Sequence, residues 1–343
     1  MIQGMADLVG AVQTNCDIAD ARHARDVSLC TYLLGMREYY RWEHQLPYGV
    51  APPREDVGRW IAAREARWDE VAADDFVTLP VAGGEFDPFA AEAVNEALAG
   101  SGLVYGAGIG RFHKPHFFLA ELARDEQRGE ARLLVCGCEY ARDVAAIPAA
   151  AQGSTVIVRR EALRQWLWEK ADGWNLKQQD GALKSALLAY GFDVDPQAAI
   201  ERMTEAQIET LVLHEEGELA AARMLGSAWP QKLAGLRGKR AEIFARAVKD
   251  NLADCLVTLP ELAAVGSEAM RQFWLASFDG LRRDLFPAIA KVGIGDTARW
   301  TQLASLGARH FELLAKRLLA EPEQEIERLS RRAEELGVSA VFV

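Results

Sequence analysis

The chain has 343 residues, with 50 Asp and Glu against 39 Lys and Arg, a formal net charge of −11 and an apolar share of 50%. This length points to about two domains, and the composition excludes a disordered chain. The acidic balance argues against general nucleic-acid binding, which takes a basic surface. No apolar run approaches the roughly 18–20 residues that cross a bilayer.

The opening MIQGMADLVGAVQTNC has neither a basic stretch nor a small-residue cleavage site, so no secretory signal is read there. Cysteines at 16, 30, 136, 138 and 255 are odd in number and scattered. A disulfide framework is therefore not expected, and a reducing, cytoplasmic setting is.

Residues 5–46 read as helix, one short and one long, with Asn15 or Asp17 capping the second and Pro47 ending it. A further helix follows Pro52 and Pro53, from Arg54 to Asp74. Its inward stripe is Val57, Trp60, Ile61, Arg64 and Trp68. Trp60, Arg64 and Trp68 are four apart, which predicts a guanidinium stacked between two indoles. The period then changes. Leu103–Gly110, Lys114–Ala123, Ala131–Tyr140 and Ser154–Arg160 read as strands, with Gly129 in the hairpin turn DEQRGE. Short connections predict an antiparallel meander.

A helix starts near Arg160, carrying Leu163, Trp166 and Leu167. From about 180 to 337 the whole chain reads as helix. Thr204 with Gln207 and Thr258 with Glu261 form capping boxes, and Asp296 caps a third helix. Pro322 opens the last helix and Gly337 stops it. A bundle of about six helices is expected. The basic run at 232–249 reads as a solvated helix face. The fold expected is α+β: N-terminal helices packed on a small antiparallel sheet (1–175), then an all-α helical bundle (176–343).

The run NCDIADARHARDVSLCTYLLGMREYYRWEHQLPYG at 15–49 resembles the opening of an uncharacterised bacterial family of unknown function. GRFHKPHFFLAEL at 110–122 and REALRQWLWEK at 160–170 are similar to later parts of the same family. The resemblance covers the whole chain and implies a two-part cytoplasmic bacterial protein. It carries no activity with it.

Three constellations carry candidate chemistry. Cys16, Asp20, His23, Val27 and Cys30 share one helical face. In an unbroken helix Cys16 and Cys30 lie about 21 Å apart and cannot serve one site. Asp20 and His23, about 4.5 Å apart in rise, are close enough to pair, leaving His23 a general base with Asp20 orienting it. The alternative is a pair that tidies a helix contact or faces solvent.

The second is LHEEGELAAARML at 213–225, where His214 and Glu218 share a helical face. A zinc H-E-x-x-H pattern would need His at 218, so further ligands must come from other helices. His310, on a stripe with Leu303, Leu306, Gly307 and Leu314, and Asp254 are the donors chosen. His214, Glu218, Asp254 and His310 together would suit Fe(II), Mn(II) or Zn(II). The alternative is a core His310 bonded to a carbonyl or carboxylate, with His214 on a polar helix edge.

The third is GAGIGRFHKPH at 106–116, whose glycines, with Arg111, His113, Lys114 and His116, form a possible anion site. The spacing is not a dinucleotide fingerprint. His113 and His116 could share a metal only if Lys114–Pro115 turns the chain. Cys136 and Cys138 share a strand face about 6.6 Å apart and read as two buried thiols lining a core. G-x-S-x-G, P-loop and C-x-x-C patterns are absent from the sequence.

The leading reading is a soluble metalloprotein, an oxidoreductase or hydrolase. The rival is a non-catalytic adaptor or assembly protein. It would dock a protein partner, or a second copy in a homodimer, through Ile326, Leu329 and Leu336 of the last helix and the tail VSAVFV. A third reading places a small-molecule anion at Arg111 and His113 with His23 as base, and needs 20–23 to meet 111–116. No membrane partner is expected.

Overall fold

Ser28 interrupts the predicted long helix. In the computed structural model, which describes residues 4–129, 131–177 and 179–338, helix α1 (Met5–His23) ends five residues before Ser28. Ser28 then caps α2 (Leu29–Glu43), its hydroxyl accepting from the Thr31 amide at 3.2 Å. Asn15 and Asp17 cap nothing; both are buried within α1. The Asn15 amide instead bonds both backbone groups of Val77, at 2.8 and 2.9 Å. Asp17 accepts from Arg64 at 3.2 Å. Polar side chains in mid-helix here tie down a neighbouring segment rather than the helix end.

Two compact units emerge. One comprises the chain to Pro148 together with Ile157–Trp168; the other comprises Ala149–Val156 together with the chain from Glu169. In the first unit, α3 (Arg54–Val71) follows α2. The predicted Trp60–Arg64–Trp68 stack is not formed. The Arg64 guanidinium lies over Trp60 at 5.0 Å and Tyr39 at 5.1 Å, while Trp68 packs in a core with Tyr32, Met36 and Tyr39.

The α+β class holds, but the order differs from helices followed by a meander. A small antiparallel hairpin, β1 (Leu79–Val81) and β2 (Gly84–Phe86), comes first. Helix α4 (Ala91–Ala97) then precedes the main sheet. That sheet has five strands: β3 (Leu103–Ile109), β4 (Pro115–Arg128), β5 (Ala131–Arg142), β6 (Ala149–Gln152) and β7 (Thr155–Arg159). Their order is β3-β4-β5-β7-β6, so β7 rather than β6 neighbours β5. Strands β3–β4 and β4–β5 pair antiparallel, with Gly129 at φ +59° in the turn after β4. Helix α1 buries Leu8, Val12, Cys16 and Ala19 against Tyr105, Phe117 and Leu119 of the sheet.

Irregularities in the β4–β5 register pair Ala120 with Glu139 but Leu122 with Cys136. The bulge breaks strict alternation. Cys136 is therefore buried while Cys138 is exposed, and the two do not line one core. Helix α5 (Arg160–Lys177) follows β7.

The second unit is largely helical and more finely divided than six helices. It contains α6 (Ala182–Ala189), α7 (Pro196–Leu225), α8 (Ala228–Gly235), α9 (Lys239–Ala253), α10 (Leu259–Ala264), α11 (Glu268–Ser277), α12 (Gly280–Leu285), α13 (Thr297–Ala320), α14 (Glu323–Ser330) and α15 (Ala333–Leu336). Asp195 caps α7, accepting from the Ala198 amide at 3.0 Å, with Pro196 in the first turn. Thr204 is an interior residue that bonds back to the Ile200 carbonyl at 2.7 Å, not a cap. Asp296 does cap α13, accepting from the Arg299 amide at 3.1 Å.

Thr258 is not a cap either. It ends a π-helical turn, Asp254–Thr258, between α9 and α10. Pro260 has no amide to give the carbonyl four residues back, and the Leu259 amide reaches five back to Asp254. The core of this unit gathers Phe244, Phe286, Trp300, Phe311 and Leu318. Ile326 and Leu329 belong to the same core, so the last helices turn these apolar side chains inward. Residues 339–343 of the tail lie outside the described residues.

Candidate metal centre

Helices α7 and α9 approach with their backbones nearly touching. A Cβ on Gly217 would stand 2.3 Å from the Ala253 carbonyl oxygen, so the contact requires glycine. The approach lays the His214 and Glu218 side of α7 beside the Asp250 and Asp254 side of α9. Gly307 of α13 closes on the π turn in the same way, its would-be Cβ 2.5 Å from the Cys255 sulfur.

One ring nitrogen of His214 and one carboxylate oxygen each of Glu218 and Asp250 lie within 4.8 Å of one another. All three side chains are partly buried. His214 Nδ1 is 2.8 Å from Asp254 Oδ1. The second oxygen of Asp254 accepts from Arg282. Asp254 thus orients the imidazole from behind rather than joining the group of three.

Glu218 is divided between two environments. Its Oε2 accepts from the Lys249 ammonium. Its Oε1 is buried with no hydrogen-bond partner among the described residues. A buried orphaned carboxylate oxygen is costly and marks a place where a cation or water belongs.

The electrostatics follow. Burial disfavours the His214 imidazolium, but the Asp254 carboxylate outweighs burial and lifts the ring to about 9. Burial would raise Asp254; Arg282 and His214 hold it below its ordinary value. Burial lifts Glu215 to about 7 against the pull of His214, with Glu218 adding to the rise. One cluster therefore holds four carboxyl groups against His214, Lys249 and Arg282.

Of the four residues chosen from sequence, the structure brings together His214 and Glu218 as neighbours in this group and places Asp254 behind the imidazole. It does not bring in His310. That ring packs edge-on against Phe311 at 5.1 Å, and its Nε2 is buried with no hydrogen-bond partner among the described residues. Burial lowers its pKa. Asp250 was missed, although KDNLADC places it one helical turn before Asp254 and so on the same face. Arg282, in GLRRDL, carried no signal at all.

In the first unit the Asp20–His23 pair is not made, because Asp20 turns into the core while His23 turns to Asp26. His23 Nδ1 lies 3.1 Å from the exposed Asp26. Asp20 is fully buried, accepting from Lys114 Nζ at 2.9 Å and from the Val144 amide at 2.9 Å. Lys114 thus meets Asp20, but the base predicted beside it is elsewhere.

The 106–116 segment does not bring its four basic side chains together. Arg111 and His113 are exposed on a short turn, with φ +56° at Phe112 and +59° at His113. Lys114 and His116 turn inward onto carboxylates, His116 Nδ1 standing 2.7 Å from Asp143 Oδ2. His113 and His116 do not converge, since His113 is exposed on the turn while His116 is directed to Asp143.

The two units coincide closely with two sequence matches. Residues 7–159 match the N-terminal domain, and residues 164–339 the C-terminal domain, of a family of unknown function, DUF6866. The chain belongs to that family. No curated protein and no solved structure matches it. The candidate centre, at His214, Glu218 and Asp250, falls in the C-terminal domain. Among the described residues no helix is long and apolar enough to cross a membrane.

Proposed function

We propose that this chain is a metal-binding protein whose C-terminal domain holds one divalent transition-metal ion through His214, Glu218 and Asp250. The observation that carries the reading is the convergence of three ligand atoms within 4.8 Å, one from an imidazole and two from carboxylates. Support comes from behind the ligands. The hydrogen bond from His214 to buried Asp254, itself held by Arg282, is the arrangement that fixes an imidazole for coordination. The buried Glu218 Oε1, without a hydrogen-bond partner among the described residues, supplies a further oxygen.

One nitrogen and two carboxylate oxygens suit Zn(II), Mn(II) or Fe(II) rather than a soft-metal site. Three protein ligands leave coordination positions open, as in catalytic rather than structural centres. The class of chemistry that follows is hydrolytic or oxidative work on a small molecule.

The test is metal analysis and titration of tag-free protein. Purified chain stripped with chelator is titrated with Zn(II), Mn(II) and Fe(II), alongside His214→Ala and Asp250→Asn. About one equivalent bound by the wild type, weakened tenfold or more in either variant, is the expected result. Binding by none of the three ions, or binding that both variants leave unchanged, overturns the reading.

A further inference from the structure

We propose that Lys249 is the resident counter-cation of this centre, and that a divalent ion enters by displacing its ammonium from Glu218. The inference rests on the metal reading above and adds how the site is kept in the ion's absence.

The geometry places Lys249 immediately before the ligand Asp250 on α9, with its Nζ hydrogen-bonded to the ligand Glu218 on α7. The ammonium therefore bridges the two helices that supply the ligands. It engages one carboxylate oxygen and leaves the other buried and partnerless. A guanidinium would have engaged both oxygens of a carboxylate; a lysine is a point charge and cannot. The half-satisfied Glu218 is what an ammonium leaves when it stands in a place shaped for something else.

Charge favours displacement whichever oxygen of Glu218 the ion takes. An ion on Oε1, at about 2.0–2.2 Å, would stand roughly 5 Å from an ammonium held on Oε2 of the same carboxylate, and the two positive charges repel at that range in a partly buried setting. Lys249 has somewhere to go. Its side chain is 18% exposed, and its four-carbon stem allows the charge to swing to water while the methylenes stay packed. Arg282 is not available for this role, since Asp254 holds it. The exchange is one ammonium out for one divalent ion in, with the ligating nitrogen of His214 releasing its proton to water as the ion binds.

The consequence is a site that resists weak or monovalent cations, because any occupant must outcompete a tethered charge. The experiment is Co(II) titration of the full chain as wild type, Lys249→Met and Lys249→Gln, followed by absorbance. Both variants are expected to bind about ten- to a hundredfold more tightly, the scale of one charge-assisted hydrogen bond that the ion no longer has to break.

A second measurement needs no variant. Wild-type chain is acylated at its amines with and without one equivalent of Zn(II), and the peptide carrying Lys249 is quantified by mass spectrometry. Labelling of Lys249 is expected to rise several-fold on loading. Equal or weaker Co(II) binding in folded variants, with wild-type binding intact, overturns the displacement and leaves the metal reading standing. Unchanged labelling at saturating Zn(II) does the same. Absence of binding in the wild type and both variants overturns the metal reading itself.

Discussion

Gly217 of α7 and Ala253 of α9 meet backbone to backbone, with room for no side-chain atom between them. Each is followed in sequence by a carboxylate of the centre, Glu218 and Asp254, so this one contact fixes how far apart the two elements that carry them stand. The π turn starting at Asp254 belongs to the same device. It re-aims the carboxylate that orients His214, and it exists because Pro260 cannot continue the α-helical ladder.

Gly217→Ala is expected to push the helices apart, destabilising the fold by about 1–3 kcal/mol and weakening metal binding together with it. Thermal melting and a Zn(II) titration check both. A variant that melts as wild type and binds equally well would show that the close approach does not set the site.

Asp254→Asn tests the orienting role. Asparagine keeps the size and an acceptor for His214 but removes the charge. Metal affinity is expected to fall about ten- to a hundredfold while the Co(II) absorption band keeps its position, because the ligand set is unchanged. A shifted band would make Asp254 itself a ligand and Asp250 the supporting residue.

Much of this was legible in the sequence, and the gaps have physical causes. The His214–Glu218 spacing needed only helical periodicity. Asp250 needed the same rule applied once more to KDNLADC. The position of His310 was not readable, because it depends on how α13 packs, and that depends on Gly307 seating against Cys255. The break at Ser28 was readable, since serine is a preferred cap, but the apolar residues around it hid the boundary. Thr204 and Thr258 carried capping-box spacing, yet Thr204 bonds back within its helix and Pro260 turns Thr258 into the end of a π turn. The β1–β2 hairpin has its own signal in Ala82-Gly83, at φ +49° and +80°, between short strands. Strand β6 had none.

The buried Asp20–Lys114 pair predicts a pH dependence of known sign. Burial lifts Asp20 from 3.8 to about 6, with Lys114 pulling down and Asp143 adding to the rise. A carboxyl raised in the folded state favours folding most below its unfolded value of 3.8, and that contribution is lost as pH rises through about 6. Asp143 runs the other way: burial alone would raise it, but His116 and then Lys114 hold it well below its usual range. Asp20→Asn removes only the first effect. The stability of Asp20→Asn relative to wild type is therefore expected to improve by about 1–3 kcal/mol between pH 4 and pH 7. Urea unfolding across that range is the measurement, and a pH-independent difference would mean that Asp20 is not raised.

Glu139 gives the sharpest stability prediction in the first unit. Its carboxylate is fully buried and holds two buried guanidiniums, Arg159 at 2.6 Å and Arg142 at 3.4 Å. Arg142 also donates to Gln165 at 2.6 Å and lies over Trp42 at 4.7 Å; Arg159 lies over Phe118 at 4.3 Å. The aromatic faces and the amide help to solvate the cations, but among the described residues only Glu139 supplies a neutralising charge within hydrogen-bond distance of both. Glu139→Gln leaves both cations in place with that charge gone, which is expected to cost about 3–5 kcal/mol. Adding Arg142→Met removes one stranded cation and is expected to recover part of the loss, since a buried ion pair exchanged for apolar packing is often near neutral. Urea midpoints at unchanged slope measure all three proteins. If Glu139→Gln alone costs under about 1 kcal/mol, water reaches the cluster and the carboxylate is not its keystone.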